Sequence, residues 1–128
     1  MVFFFLLLCG EGLASFSERT DTGNMQFENV TAVAAGNIYF DGKVISHAIL
    51  MPDGAKKTLG VIMPGSYHFG TEAAEIMEIV EGDCSYVLDG TEESIAVPVS
   101  SRFEVPANSG FTITVVGDPC HYVCSFIA

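Results

Sequence analysis

Turn-forming residues recur along this chain at intervals too short for most helices. From Met25 onward the sequence is divided at Asp41-Gly42, Pro52-Asp53-Gly54, Pro64-Gly65, Glu81-Gly82-Asp83, Asp89-Gly90, Pro106 to Gly110 and Gly117-Asp118-Pro119. Gly and Pro punctuate the backbone because one supplies positive φ and the other removes a donor. Between them lie short runs rich in Val, Ile, Thr, Phe and Tyr, at 43–50, 58–63, 84–88, 111–116 and 121–127. Strand-sized segments separated by such signals about every 8–12 residues point to an all-β sandwich or closed barrel with little or no helix.

Size and charge narrow what the domain can do. A chain of 128 residues builds one domain, burying about two-thirds of its unfolded surface. The formal net charge of −11 repels nucleic acid and anionic lipid, both of which need a basic stripe. Neither nucleic acid nor membrane is therefore expected as a partner. Any bound anion must be held by one of a few cations, Lys43, Lys56, Lys57 and Arg102, or by backbone N–H groups.

Residues 2–8 form an apolar run of seven ending before Cys9, shorter than the roughly 20 residues that span a bilayer. No Lys or Arg precedes it, so it lacks the charged start of an export signal. Residues 1–24 are expected to be an extension outside the fold, and residues 25–128 the β domain. Within that domain Cys84, Cys120 and Cys124 are odd in number and cannot all pair. A reducing compartment, the cytoplasm, is the simpler setting, with the cysteines acting as small buried hydrophobes.

Residues 71–81 (TEAAEIMEIVE) carry two signals. They are good helix formers with Ala73, Ile76, Met77 and Val80 at near-helical spacing, yet the alternation of Glu75, Met77 and Ile79 also fits a strand buried on both faces. Periodicity leaves both open.

The most informative spacing surrounds Glu75. Six residues separate it from Gly82, and a strand-like stretch ends upstream at Thr71. This arrangement resembles the first cupin motif, Gly, five residues, His-x-His, three or four residues, Glu, six residues, Gly. Phe69 and Thr71 then stand where the two histidines would be. His68 is one residue out of phase, which in a strand turns a side chain to the other face. The second cupin motif, Pro-x-Gly-x-x-His, resembles 106–111 and puts Phe111 at its histidine. Glu75 alone remains of the four ligands, and one carboxylate does not hold a transition metal that needs three or four donors. No metal or other cofactor is expected. If Glu75 points inward among Phe69, Met77 and Phe111, burial should raise its pKa.

Further strings sharpen the resemblance. Asn37-x-Tyr39-Phe40-Asp41-Gly42-Lys43-Val44, 58–71 (TLGVIMPGSYHFGT), Glu75-x-Met77-Glu78 and Phe103-Glu104-Val105-Pro106-x-Asn108-Ser109-x-Phe111 are similar to the pyrimidine/purine nucleoside phosphorylases, a family of small bacterial cupins. The resemblance runs from about Met25 to Ala128. It implies a single jelly-roll-type cupin barrel, a turn and strand rather than a helix over 71–81, and metal-free phosphorolysis of diverse nucleosides to free base and pentose-1-phosphate. Inorganic phosphate is then the co-substrate, and a homodimer formed through edge strands is expected.

Phosphorolysis needs a cradle for phosphate, a group that stabilises a positively charged sugar, and an apolar wall for the base. Glu75 is the candidate catalytic group, bonding ribose hydroxyls or stabilising developing charge. Lys43 and Lys56 are the phosphate candidates, with Asn108 and Ser109 as neutral donors. Tyr67, Phe69, Phe103 and Phe111 supply aromatic surface, with Thr71 and Met77 beside them. Stacking with few hydrogen bonds tolerates many bases, because every base has a π-face. A sugar- or nucleotide-binding module without turnover is the alternative.

Overall fold

The computed structural model describes residues 25–127; the extension expected over residues 1–24 lies outside them. Eleven strands follow in order: β1 (Thr31–Ala32), β2 (Asn37–Tyr39), β3 (Val44–Leu50), β4 (Lys56–Ile62), β5 (Gly65–Gly70), β6 (Ala74–Glu81), β7 (Cys84–Leu88), β8 (Ile95–Val97), β9 (Arg102–Val105), β10 (Gly110–Val115) and β11 (Cys120–Ile127). The one helical element among the described residues is a single 3-10 turn at Phe40–Gly42. The all-β reading holds, and so do most of the turns. At Pro52-Asp53-Gly54 the chain reverses between β3 and β4, with Gly54 at φ +91° and the Asp53 carboxylate accepting from the Ala55 N–H at 2.9 Å.

Two antiparallel sheets form the fold. The larger runs β1-β3-β4-β11-β6-β9, with β2 also pairing β3, and the smaller runs β5-β10-β7-β8. Each sheet contributes one face to a single shared core. Val44, Ile62, Ile79 and Val105 come from the larger sheet, and Tyr67, Tyr86, Ile113 and Val115 from the smaller. The alternation of buried and exposed residues along β5, β9 and β10 is what a sheet with one covered face requires. The arrangement is that of a cupin-type jelly roll.

Residues 71–81 contain β6, a central strand between β11 and β9. Met77 and Ile79 are buried on it. Its helix-forming residues yield to ladder bonds on both sides and burial, which outweigh propensities of a few tenths of a kcal/mol per residue.

The turns that carry the two motif halves are fastened to each other. The Thr71 hydroxyl donates to the Pro106 carbonyl at 2.7 Å and accepts from the Ser109 N–H at 3.0 Å. The Thr71 N–H bonds to the Ser109 carbonyl, and the Asn108 N–H to the Glu72 carbonyl. Asn108 sits at φ +54°, a left-handed conformation that asparagine tolerates better than most residues. A residue that stands at a ligand position in the motif thus serves as a clasp between loops.

Candidate active site

Strand register places the inward side chains of the larger sheet in rows. Glu75 of β6 is opposite Phe126 of β11 and Val105 of β9. Lys56 of β4 holds its Nζ over the Phe126 ring, 5.4 Å from the centroid. Neighbouring strands lie about 4.8 Å apart, so cation and carboxylate flank the phenyl ring from two strands that β11 separates. In the next row Thr58, Cys124, Met77 and Phe103 are register partners in turn, and beyond them Ser46, Gly60 and Tyr122. These rows, apart from Val105, Phe103 and Gly60, form one wall of a cavity of about 570 Å³, within the size range of small-ligand pockets.

The facing wall is aromatic. Phe69 of β5 and Phe111 of β10 are direct register partners, and their rings stack with centroids 5.8 Å apart at 29°. Tyr39 and Phe40 meet Phe69 edge-on at 5.8 and 5.5 Å. Phe40 takes a positive φ of 53° at the turn after β2, a strained conformation for a bulky residue. That turn swings its ring against Phe69 and Tyr67. Strain of this kind is found where surrounding structure over-determines a side chain at a site.

Burial sets the electrostatics. The carboxyl of Glu75 is pushed above its ordinary value by desolvation, and a hydrogen bond with the Cys124 thiol partly offsets the rise. Burial, then the negative charge of Glu75, pushes the Cys124 thiol up to about 12. Cys124 therefore stays a neutral donor beside a carboxylate. Tyr122 is likewise held well above its usual range, chiefly by burial.

The structure brings Glu75, Lys56, Phe69, Met77 and Phe111 together on this cavity. The other sequence candidates lie outside its lining. Lys43 is exposed at the end of the Phe40–Gly42 turn. The buried Tyr67 donates its hydroxyl to the backbone carbonyls of Met63 and Pro64. Phe103 stacks on Tyr86 at 3.9 Å and supports Phe111 from behind. Thr71, Asn108 and Ser109 form the clasp described above. Conversely, Asn37, Ser46, Thr58, Tyr122 and Cys124 line the cavity without having been singled out. Asn37, Tyr39 and Thr58 lie in the family-like strings, and the sequence offers the Tyr39 and Tyr122 hydroxyls without a spacing that places them. His68 reaches the cavity rim but bonds to the Asp89 carboxylate at 2.9 Å.

These residues do not suit a metal. Phe69 and Phe111 offer no donor atom, and the Thr71 hydroxyl is engaged by backbone. No group of three or more His, Cys, Asp or Glu side chains among the described residues could hold an ion.

Comparison with known proteins decides the family. The model of the pyrimidine/purine nucleoside phosphorylase family matches residues 34–126. The chain belongs to the pyrimidine/purine nucleoside phosphorylase family. A phosphorylase of that name from Hydrogenovibrio crunogenus is 53% identical over 104 residues, covering 80% of this chain and 97% of the relative. One from Paraburkholderia xenovorans is 46% identical over 106 residues, covering 83% and 99%. A crystal structure of a protein of unknown function from Acinetobacter sp. ADP1 superposes with a TM-score of 0.77 at 39% identity, covering 80% of this chain and 98% of that one. The Mn(II)-containing oxalate decarboxylase of Bacillus subtilis matches at a TM-score of 0.58 and 14% identity, over 70% of this chain and 27% of that one. At that identity only the fold is shared. This nucleoside phosphorylase family member thus shares its fold with an Mn(II)-containing enzyme, while phenylalanines, Phe69 and Phe111, stand at two of the motif's four ligand positions.

Proposed function

We propose that the protein cleaves purine and pyrimidine nucleosides by phosphorolysis, without a metal ion and with broad tolerance for the base. The observation that carries this reading is the cavity itself, where aromatic rings face a half-buried carboxyl and a lone lysine. A base stacks among Tyr39, Phe40, Phe69 and Phe111. Glu75 accepts hydrogen bonds from the ribose hydroxyls and opposes the positive charge that grows on the sugar ring. Lys56, on the cavity lip, draws in phosphate. A phosphate oxygen forms the new bond to C1′ as the glycosidic bond breaks. Its electron pair leaves with the base nitrogen, which takes up a proton, giving free base and pentose-1-phosphate. Desolvation strengthens the attraction between Glu75 and the sugar cation, since fixed charges act more strongly where water is excluded.

Free base measured from uridine and adenosine, with and without phosphate, tests the reading. Release that requires phosphate, and falls at least 100-fold in Glu75→Gln, is expected. Phosphate-independent release overturns phosphorolysis, and near-parental rates in the variant remove Glu75 from the chemistry.

The same reading places the protein in the cytoplasm as a dimer. Cys84, Cys120 and Cys124 are all free and buried, which supports a reducing compartment that cell fractionation can check. No helix among the described residues is long and apolar enough to cross a membrane.

A further inference from the structure

Towards β2, the edge of the larger sheet farthest from Glu75, three polar side chains are linked across neighbouring strands. Asn37, Ser46 and Tyr122 belong to β2, β3 and β11, with Gly60 of β4 between the last two. Asn37 Nδ2 donates to Ser46 Oγ at 3.3 Å, and the Tyr122 hydroxyl lies close enough to the same serine for it to ease the phenol's ionisation. A Cβ on Gly60 would stand 2.4 Å from the Tyr122 ring, so the ring crosses β4 through space that only glycine leaves. Ser46 is 3% exposed. Its hydroxyl proton is therefore placed by these two neighbours rather than by bulk water.

A hydroxyl donates one proton and accepts on its lone pairs, while a carboxamide offers a donor end and an acceptor end of nearly equal shape. With Ser46 accepting from Nδ2, the Asn37 carbonyl oxygen is left for the cavity. With the amide turned over and the Ser46 proton directed at Oδ1, the NH2 group is left instead. The Tyr122 hydroxyl rotates to complete either arrangement. The heavy atoms occupy the same places in both, so the polarity presented to a ligand reverses without repacking.

We propose that Asn37 reads the edge of the base, and that the reversible Asn37–Ser46–Tyr122 chain lets one pocket accept bases of opposite hydrogen-bond polarity. This rests on the phosphorolysis reading. Uracil and hypoxanthine present a carbonyl where cytosine and adenine present an amine. The amide donates to the first pair and accepts from the second, while the aromatic wall holds the plane of any of the four.

Asn37→Asp fixes the polarity, because a carboxylate only accepts, and Asn37→Leu removes both ends. Asn37 is exposed on a three-residue strand, so both variants are expected to fold, and their melting curves check this. Calorimetric affinity and kcat/KM are measured for uridine, inosine, cytidine and adenosine. In Asn37→Asp the ratio of carbonyl to amine nucleosides is expected to fall about tenfold or more, since an unmatched polar edge is left without its partner. In Asn37→Leu all four are expected to weaken alike. Equal effects on the four nucleosides in Asn37→Asp, or none, overturn the proposal. A parent protein that binds nucleosides without turning them over overturns the phosphorylase reading alone, and the calorimetric ratio then decides this one. A parent that binds none overturns both.

Discussion

Glu75 binds its proton more tightly in the folded chain than in the unfolded one, because burial penalises the charged form. Ionising it therefore costs stability as pH rises from its ordinary value of 4.5 through the raised one, and the cost persists above that. Gln in its place carries no charge to desolvate. Glu75→Gln is thus expected to melt above the parent at pH 8, with the difference closing below pH 4.5. Melting temperatures of both proteins at the two pH values check this. An equal difference at both would locate the effect in packing instead of charge.

Between the strands, the clasp at Thr71 deserves a direct measurement. Thr71→Val keeps the shape of the side chain but removes its part-buried bonds to the Pro106 carbonyl and the Ser109 N–H. The loss is expected to be about 1–3 kcal/mol, and roughly 4 °C or more in Tm for a domain this size. Thr71→Ser, which keeps the hydroxyl, is expected to recover most of it. The sequence showed this region only in part. The turns were legible because Gly, Pro and Asp fix local dihedrals, and Glu75, Phe69 and Phe111 were legible because motif spacing is a property of the chain itself. Lys56 and Lys57 begin β4 just past the turn of the β3–β4 hairpin, where register with β11 brings Lys56 over Phe126. Asn37, Ser46, Tyr122 and Cys124 come together through the register of four strands. No local pattern encodes register between distant segments, so the polar end of the cavity stayed hidden.

For the whole molecule, the outer face of the larger sheet is the surface that asks for a partner. Ile45, Leu59, Val61, Val80 and Val123 line a second groove of about 680 Å³ there, beside Met25 and Phe27. Solvent-facing sheets usually carry polar residues in such places. The sequence suggests a dimer through edge strands; we propose instead that it buries this face, so light scattering of the purified protein should give twice the chain mass. Ile45→Glu should return it to the monomer. A monomeric parent would sink the dimer reading. The order of strands in that sheet also governs how the molecule comes into being. β11 is the latest strand in chain order, yet it lies between β4 and β6. During synthesis both of those strands wait with open edges for a neighbour not yet made. Unpaired edges are templates for aggregation, so the nascent chain is vulnerable until β11 emerges from the ribosome. A truncation that removes β11 would leave a gap in the middle of the sheet, not a frayed border.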